Sequence, residues 1–395
     1  MSDIIIIGNG VAGDSAARVI ARSDEKFNVK IFTKEEHPFY QRTRLGEVLS
    51  GKSSPEDLIL HDTRWYEDRG LDLRLKTTVT EIEPESRIVK TKADGKFSYD
   101  KLLLATGAKP LLPPIKSLNR GNVFSIRTLK DVENIKSNLA DLEKAVVIGG
   151  GLLGLESAFS LNRRGLDVTV VEALPLIMGK QLDKAGSSYV RSRLESAGID
   201  FELDAKVREL AGGEKITSAV LDTGKEIETD LTIISAGVSP RTGLATGAGL
   251  ETNRGILVDE NLRTSRPEIF AAGDAIEQNG QCYGIWPPAL EQGKVAGKNL
   301  IGAEAEYDGS LSYFKLKVAS IDMISAGVRD EDRAAKVLVD EKKAKKTYKK
   351  FFLNEDEELI GAILVGDQKC YPTVLNGLRN RTNFTELNSQ HRLVD

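Results

Sequence analysis

Two glycine turns of one pattern stand far apart in the chain, Gly8-Asn9-Gly10-Val11-Ala12-Gly13 and Gly149-Gly150-Gly151-Leu152-Leu153-Gly154. Each follows an apolar run that reads as a buried parallel strand, Ile4 to Ile7 and Ala145 to Ile148, and each opens a segment of helical period. That layout restricts the fold sharply. The first glycine (Gly8, Gly149) makes the tight turn, the second (Gly10, Gly151) lets backbone approach a pyrophosphate, and the third (Gly13, Gly154) packs helix on strand. Val11 and Ala12 in one copy, Leu152 and Leu153 in the other, then open the helix beside that phosphate. One such turn also serves ordinary packing. Two, each with an acidic residue downstream, predict a chain that holds two dinucleotides and passes electrons between them.

A second repeat supports the first. Leu102-Leu103-Leu104-Ala105-Thr106-Gly107-Ala108-Lys109-Pro110 and Leu231-Thr232-Ile233-Ile234-Ser235-Ala236-Gly237-Val238-Ser239-Pro240 are apolar strands that end in small residues and then proline. Such ends suit a crossover close to a bound cofactor, which adds Ala105, Thr106, Gly107 and Gly237 to the candidate binding residues. Val29 to Phe32 and Val168 to Val171 read as the second parallel strands, and Ala93-Asp94-Gly95 and Asp222-Thr223-Gly224 as hairpin turns. Trp286-Pro287-Pro288 starts a helix that runs to about Ile301. From about residue 309 the texture changes. Leu316 to Ser320, Thr347 to Leu353 and Leu359 to Val365 read as strands, and the polar residues after 384 as a mobile tail. The expected fold class is α/β, with two Rossmann-like dinucleotide-binding domains and a small α+β C-terminal domain over 309–395.

The bulk numbers exclude rather than identify. The chain has 395 residues, enough for two or three domains, with 40% apolar and 29% charged residues and a formal charge of −4. That balance gives no reason to invoke nucleic acid. No apolar stretch approaches membrane-spanning length, and the chain enters a strand at once, leaving no room for a signal peptide. Cys282 and Cys370 are the only cysteines and read as small, partly buried thiols, which fits a reducing compartment. A cytoplasmic protein is expected. His37, His61 and His391 are scattered without metal-ligand spacing, so no metal site is expected.

The acids after the turns differ between the units. Glu172 ends its strand 18 residues beyond Gly154, where a carboxylate accepts from a ribose 2′-hydroxyl and repels a 2′-phosphate. No Arg follows in Ala173-Leu174-Pro175-Leu176, so this unit reads as an NADH site rather than an NADPH site. In the first unit Thr33 stands at the matching position, and Glu35 and Glu36 come two and three residues later. Glu35 reaches a ribose if the loop turns back, or else is a solvated loop carboxylate.

At these motifs the chain resembles the FAD-dependent pyridine nucleotide oxidoreductases, the superfamily of glutathione reductase and apoptosis-inducing factor. Its nearest likeness is the branch of NADH:rubredoxin oxidoreductases and the flavin domain of assimilatory nitrite reductases. The motifs span residues 4–297, with a looser match at Leu316-Lys317-Val318-Ala319-Ser320-Ile321-Asp322. The resemblance implies an FAD domain over 1–107 and 237–308 and an NAD(H) domain over 108–236. It also implies residue roles. His37-Pro38-Phe39-Tyr40-Gln41-Arg42 resembles the segment whose arginine lies along FAD, an exposed salt bridge being the plainer role for Arg42. Val79 matches the strand whose backbone meets adenine, and Arg127 an arginine that contacts the flavin nucleotide.

Ala271-Ala272-Gly273-Asp274 matches the family's second FAD fingerprint, in which Asp274 accepts from a ribityl hydroxyl; otherwise it is a helix N-cap. Trp286-Pro287-Pro288-Ala289-Leu290-Glu291-Gln292-Gly293 resembles the helix that points its positive end at the flavin. Trp286 is a flavin-edge residue or a core tryptophan, and Gln292 keeps the spacing seen in ferredoxin reductases. Glu156 matches the glutamate that meets the nicotinamide carboxamide. Glu47 stands where ferredoxin-reductase relatives carry that glutamate's lysine partner. Without a C-x-x-C pair, and with no cysteine in the first 281 residues, no redox-active dithiol is placed beside a flavin.

The expected activity is hydride transfer from NADH to FAD, with electrons leaving to a small redox protein. Rubredoxin comes first, then a ferredoxin, then a nitrite-reducing partner. A sensor or scaffold in the manner of apoptosis-inducing factor is the alternative of another class. The lysine-rich segment Lys342 to Lys350 reads as an edge strand guarded by lysines, or as a docking patch for an acidic carrier.

Overall fold

The computed structural model describes residues 2–93, 95–319, 321–342 and 346–394. The chain divides into two compact units. The first comprises Met1–Arg44, Ser54–Lys109 and Val238–Ser310; the second comprises Leu45–Ser53, Pro110–Gly237 and Leu311–Asp395.

In the first unit five parallel strands lie in the order Ile269–Ala271, Lys101–Leu104, Asp3–Ile7, Asn28–Phe32, Leu71–Arg74. Ile4 pairs with Val29 on one side and Lys101 on the other. Such strands read as unbroken apolar runs because helices cover both faces, and Ile4, Ile5 and Ile6 are accordingly buried. The helix Val11–Ile20 packs closely on Trp286–Leu300. Glycines permit that approach: a Cβ at Gly293 would meet the Ala12 Cα at 2.8 Å, and one at Gly297 the Ala16 Cα at 2.9 Å. This unit also holds a three-stranded antiparallel sheet, Val79–Glu83, Ile88–Thr91 and Lys96–Ser98, and a two-stranded parallel one, Ile256–Leu257 and Ile276–Glu277. The Ala93-Asp94-Gly95 turn expected between the last two strands of the antiparallel sheet includes Asp94, which lies outside the described residues.

The second unit repeats the plan. Its parallel sheet runs Ile199–Leu203, Asp167–Glu172, Lys144–Ile148, Leu231–Ile234, Val123–Ser125, beside an antiparallel hairpin sheet of Val207–Gly212, Ile216–Leu221 and Glu226–Glu228. In both units the strand that precedes the glycine turn is central, as a mononucleotide-binding half requires. The C-terminal part forms a separate antiparallel sheet in the order Tyr313–Val318, Ile321–Gly327, Leu359–Val365, Thr347–Leu353, Lys336–Lys342. The two parallel-sheet units and this antiparallel domain are the expected fold class. Among the described residues no helix is long and apolar enough to cross a membrane.

Two expectations for the C-terminal domain are corrected. The strand Thr347–Leu353 is not at an edge, because it pairs with both Lys336–Lys342 and Leu359–Val365. Two of its lysines are not solvated either. Lys350 is 5% exposed and lies 2.7 Å from Asp183 and 2.5 Å from Glu331, while Lys349 is 6% exposed and lies 2.9 Å from Asp367. Neighbouring strand residues point to opposite faces, and here both faces are covered. Both lysines therefore serve as buried ion-pair partners, and neither a solvated edge nor a docking patch describes them. Lys343, Ala344 and Lys345 of the same run lie outside the described residues. The polar tail is also no loose end. Asn383 caps a helix Phe384–His391 by accepting from the Thr385 and Glu386 N–H groups, and Phe384, Leu387 and Leu393 are buried. Two apolar side chains on one face of a short helix, with Leu393 just after it, suffice to dock the segment, a pattern that average polarity hides.

Candidate functional site

The two glycine turns are structural copies, and their glycines divide into two kinds. A Cβ at Gly8 would collide with the Ala105 carbonyl oxygen, and one at Gly149 with that of Ser235. A Cβ at Gly13 would collide with the Gly8 carbonyl oxygen, and one at Gly154 with that of Gly149. Gly8 and Gly149 also sit at φ +110° and +113°, backbone that side chains rarely adopt. Packing thus explains the first and third glycines. It does not explain the second, because a Cβ at Gly10 or Gly151 would meet nothing within 4 Å. The room at these two positions is what a pyrophosphate approaching backbone needs.

The helix ends agree. Asp62, Thr128, Asp183 and Asn383 each cap a helix with a side chain. The helices Val11–Ile20, Leu152–Asn162 and Trp286–Leu300 start at Gly10, Gly151 and Ile285 with no side-chain cap. Their first-turn N–H groups, at the positive end of the helix dipole, suit an anionic or carbonyl ligand. The chain's residues therefore fit a dinucleotide at each glycine turn.

In the first unit the structure joins Glu35 to Arg42. Glu35 accepts from the Tyr40 hydroxyl at 2.6 Å and pairs with the Arg42 guanidinium. Burial works against the charge on Arg42, but Tyr40, Glu35 and Asp274 together hold its pKa above the ordinary value. Glu35 is thus neither solvated nor alone, and Arg42 is a partly buried ion-pair member rather than an exposed one. Asp274 follows Gly273 in a turn that leads to the strand Ile276–Glu277, so it caps no helix. The Gly273 N–H donates to Gln292 Oε1 at 2.9 Å, which locks the Ala271–Asp274 motif to the helix Trp286–Leu300. Trp286 stands at the start of that helix, stacked on Phe39 with ring centroids 5.8 Å apart. Val79 begins its strand buried. The Thr106 hydroxyl donates to the Arg241 carbonyl at 2.9 Å, and the Gly107 carbonyl accepts from the Arg241 N–H, so two bonds tie the segment after Ala105 to Arg241.

In the second unit Glu172 folds back onto the turn. One carboxylate oxygen accepts from the Gly150 N–H at 2.6 Å and the other from the Leu174 N–H at 2.9 Å. Glu156 lies in the helix Leu152–Asn162, half-buried, and desolvation raises its pKa to about 8. The short helix Leu45–Ser50 packs on the same helix, with the Ser160 hydroxyl donating to the Gly46 carbonyl at 2.9 Å. Glu47 accepts from the Ser53 hydroxyl at 3.0 Å and lies 3.8 Å from Lys52. Arg127 precedes a capping box made by Thr128 and Asp131. Gly237 sits at φ +107° with nothing within 4 Å of a Cβ.

Sequence reasoning missed one cluster. Asp14, fully buried in the first turn after Gly13, lies 2.7 Å from His61 Nδ1, 3.1 Å from the Tyr66 hydroxyl and 2.9 Å from Arg18 Nε. The same Tyr66 hydroxyl, whose single proton the two acceptors share, lies 3.2 Å from Asn9 Oδ1. Burial and the neighbouring Asp14 charge raise the Tyr66 pKa, so this hydroxyl keeps its proton. His61, one of three scattered histidines, thus belongs to a network beneath the first glycine turn. His61 and Tyr66 lie 47 and 52 residues from Asp14 in sequence, and no spacing rule reports such a meeting.

Residues 2–293 match the family described as pyridine nucleotide-disulphide oxidoreductase, and residues 313–382 match a domain described as the rubredoxin NAD+ reductase C-terminal domain. A nitrite reductase [NAD(P)H] of Bacillus subtilis (strain 168) is 35% identical over 97% of this chain, which spans 48% of that relative. A rubredoxin-NAD(+) reductase of Pseudomonas putida is 33% identical over 69% of this chain and 71% of its own length. The crystal structure of NADH:rubredoxin oxidoreductase from Clostridium acetobutylicum superimposes with a TM-score of 0.78 at 27% identity, covering 96% of this chain and 95% of that one. The chain spans about half the length of the nitrite reductases it matches.

Proposed function

The chain belongs to the pyridine nucleotide-disulphide oxidoreductases, a family of FAD- and NAD(H)-using enzymes, and on that premise we propose that it takes hydride from NADH onto FAD and delivers electrons to a small carrier of the rubredoxin class. The observation that carries the choice of carrier is the match of residues 313–382 to the rubredoxin NAD+ reductase C-terminal domain. Bound FAD would supply two-electron acceptance and one-electron release.

The chain's own groups would do the rest. Gly10 and the uncapped helix behind it would receive the FAD pyrophosphate. Glu35 would hold Arg42 rigid beside the cofactor, with Val79, Ala105, Thr106 and Gly107 around it. Asp274, set by Gly273 and Gln292, would accept from the ribityl chain, and Trp286 would close one edge. In the other half Gly151 and its helix would take the NADH pyrophosphate, with Gly237 opposite. Glu172, its carboxylate already oriented by two backbone N–H groups, would accept from the ribose and repel a 2′-phosphate. At neutral pH Glu156 is mostly protonated, so it would offer both a donor and an acceptor to a carboxamide. Glu47, standing where relatives carry a lysine, would bring no positive charge to draw that proton off.

A second reading has its own support. The nitrite reductases match almost the whole chain, one of them at slightly higher identity, which favours a chain that feeds electrons to a nitrite-reducing module. The test is NADH-driven reduction of purified rubredoxin, followed by loss of its visible absorbance, beside ferredoxin and a nitrite-reducing partner. Rubredoxin is expected to turn over fastest. Slow turnover with rubredoxin but fast delivery to the nitrite-reducing partner would replace the first reading with the second. In the same assay Glu172→Ala is expected to narrow the preference for NADH over NADPH by roughly tenfold, about the worth of one charged hydrogen bond. An unchanged ratio would remove Glu172 from coenzyme choice.

A further inference from the structure

Asn9 occupies the second position of the first glycine turn, between Gly8 and Gly10, and is 8% exposed. A polar side chain in that place is costly unless every edge of its amide is used. One edge is used: the Tyr66 hydroxyl reaches it at 3.2 Å. The other is not, since Nδ2 is buried and has no hydrogen-bond partner among the described residues. Tyr66 is itself held by Asp14, and Asp14 by His61 and Arg18. The amide is therefore held on one side by a chain of buried groups, while its other edge is buried without a protein partner.

We propose that Asn9 is an FAD-binding side chain, its unpaired amide edge turning to hydrogen-bond a polar group of the cofactor when FAD binds, with Tyr66 and Asp14 as its positioning residues. The inference rests on FAD binding at this turn and adds a side-chain contact to what glycine backbone alone provides. Two observations support it together. Gly10 leaves space at the turn that no protein atom fills, and the amide edge beside it lacks a protein partner. A cofactor with phosphate and hydroxyl groups answers both. The same network explains why a buried aspartate is tolerated so near an anion. Asp14 is compensated by Arg18 and hydrogen-bonded by Tyr66 and His61, so its charge is neutralised before it reaches the turn's open side.

The test compares wild type, Asn9→Gly, Asn9→Ala and Tyr66→Phe as full-length apoproteins. FAD affinity is read by quenching of flavin fluorescence, and fold by thermal melting without FAD. Asn9→Gly and Asn9→Ala are expected to bind FAD roughly tenfold more weakly, the loss of one buried hydrogen bond, with melting of the apoprotein little changed. Tyr66→Phe, which frees the amide to rotate, is expected to weaken FAD by a smaller factor. FAD affinity equal to wild type in both Asn9 variants would overturn the proposal, and a lowered apoprotein melt with that equality would make Asn9 structural only. A wild-type apoprotein that takes up no FAD at all would overturn the flavoprotein reading together with it. If Asn9→Ala fails to fold, Asn9→Gly still decides, since glycine strains no turn of this kind.

Discussion

Replacing Gly10 by valine is expected to yield a folded protein that has lost its yellow colour. The new side chain meets little of the protein, because a Cβ at Gly10 has nothing within 4 Å. It occupies the space a pyrophosphate needs, so FAD affinity should fall by at least roughly a hundredfold, as the helix-terminus and backbone hydrogen bonds to the phosphates can no longer form. Gly13→Val makes the opposite case. Its Cβ collides with the Gly8 carbonyl oxygen, so that variant should fail to fold rather than fold without flavin. Circular dichroism and the ratio of flavin to polypeptide after purification separate the two. A Gly10→Val protein with full flavin content would show that the FAD site has been misplaced.

Glu156→Gln is expected to change how stability depends on pH. Desolvation raises the Glu156 pKa from 4.5 to about 8, so between those values the folded state keeps a proton that the unfolded state has released. At low pH both states hold the proton, and as pH climbs through this window the unfolded state gains by releasing it. Each pH unit in that window costs the wild type about 1.4 kcal/mol, at most on the order of 5 kcal/mol across it. Glutamine imitates the protonated acid and carries no such slope. Urea unfolding at several pH values across the window should show the variant gaining on the wild type as pH rises. Parallel stability curves would mean that Glu156 is well solvated and ionised at neutral pH. The same proton bears on function, because an uncharged Glu156 is the form that can donate to a carboxamide.

The duplicated architecture was legible in the sequence because its signals are local. A glycine that must turn, a glycine that must yield space and a glycine that must pack occur within six residues, and buried parallel strands announce themselves as apolar runs. Glu172 was legible as a candidate for the same reason: its distance from the turn is set by one strand and one helix, and two backbone N–H groups hold its carboxylate there. What depended on long-range contact was not legible. The helix Phe384–His391 looked like a polar tail, since only the burial of Phe384, Leu387 and Leu393 reveals that it docks. Lys349 and Lys350 looked like surface charge, since Asp367, Asp183 and Glu331 are distant in sequence or in other elements.

The network of Asn9, Asp14, His61 and Tyr66 is the clearest case of the division. Asn9 sits inside the glycine motif, but nothing in the types or spacing of the others predicts that a histidine and a tyrosine 47 and 52 residues from Asp14 will meet it beneath the glycine turn. By itself the sequence determined two dinucleotide-binding halves and the class of chemistry, and it singled out Glu172 as a candidate, because short-range geometry forces those choices. Only the tertiary structure decided which polar groups are buried, which charges neutralise one another and which amide edge no protein group fills. Those depend on desolvation and on partners brought together by packing, and neither quantity exists until the chain has folded.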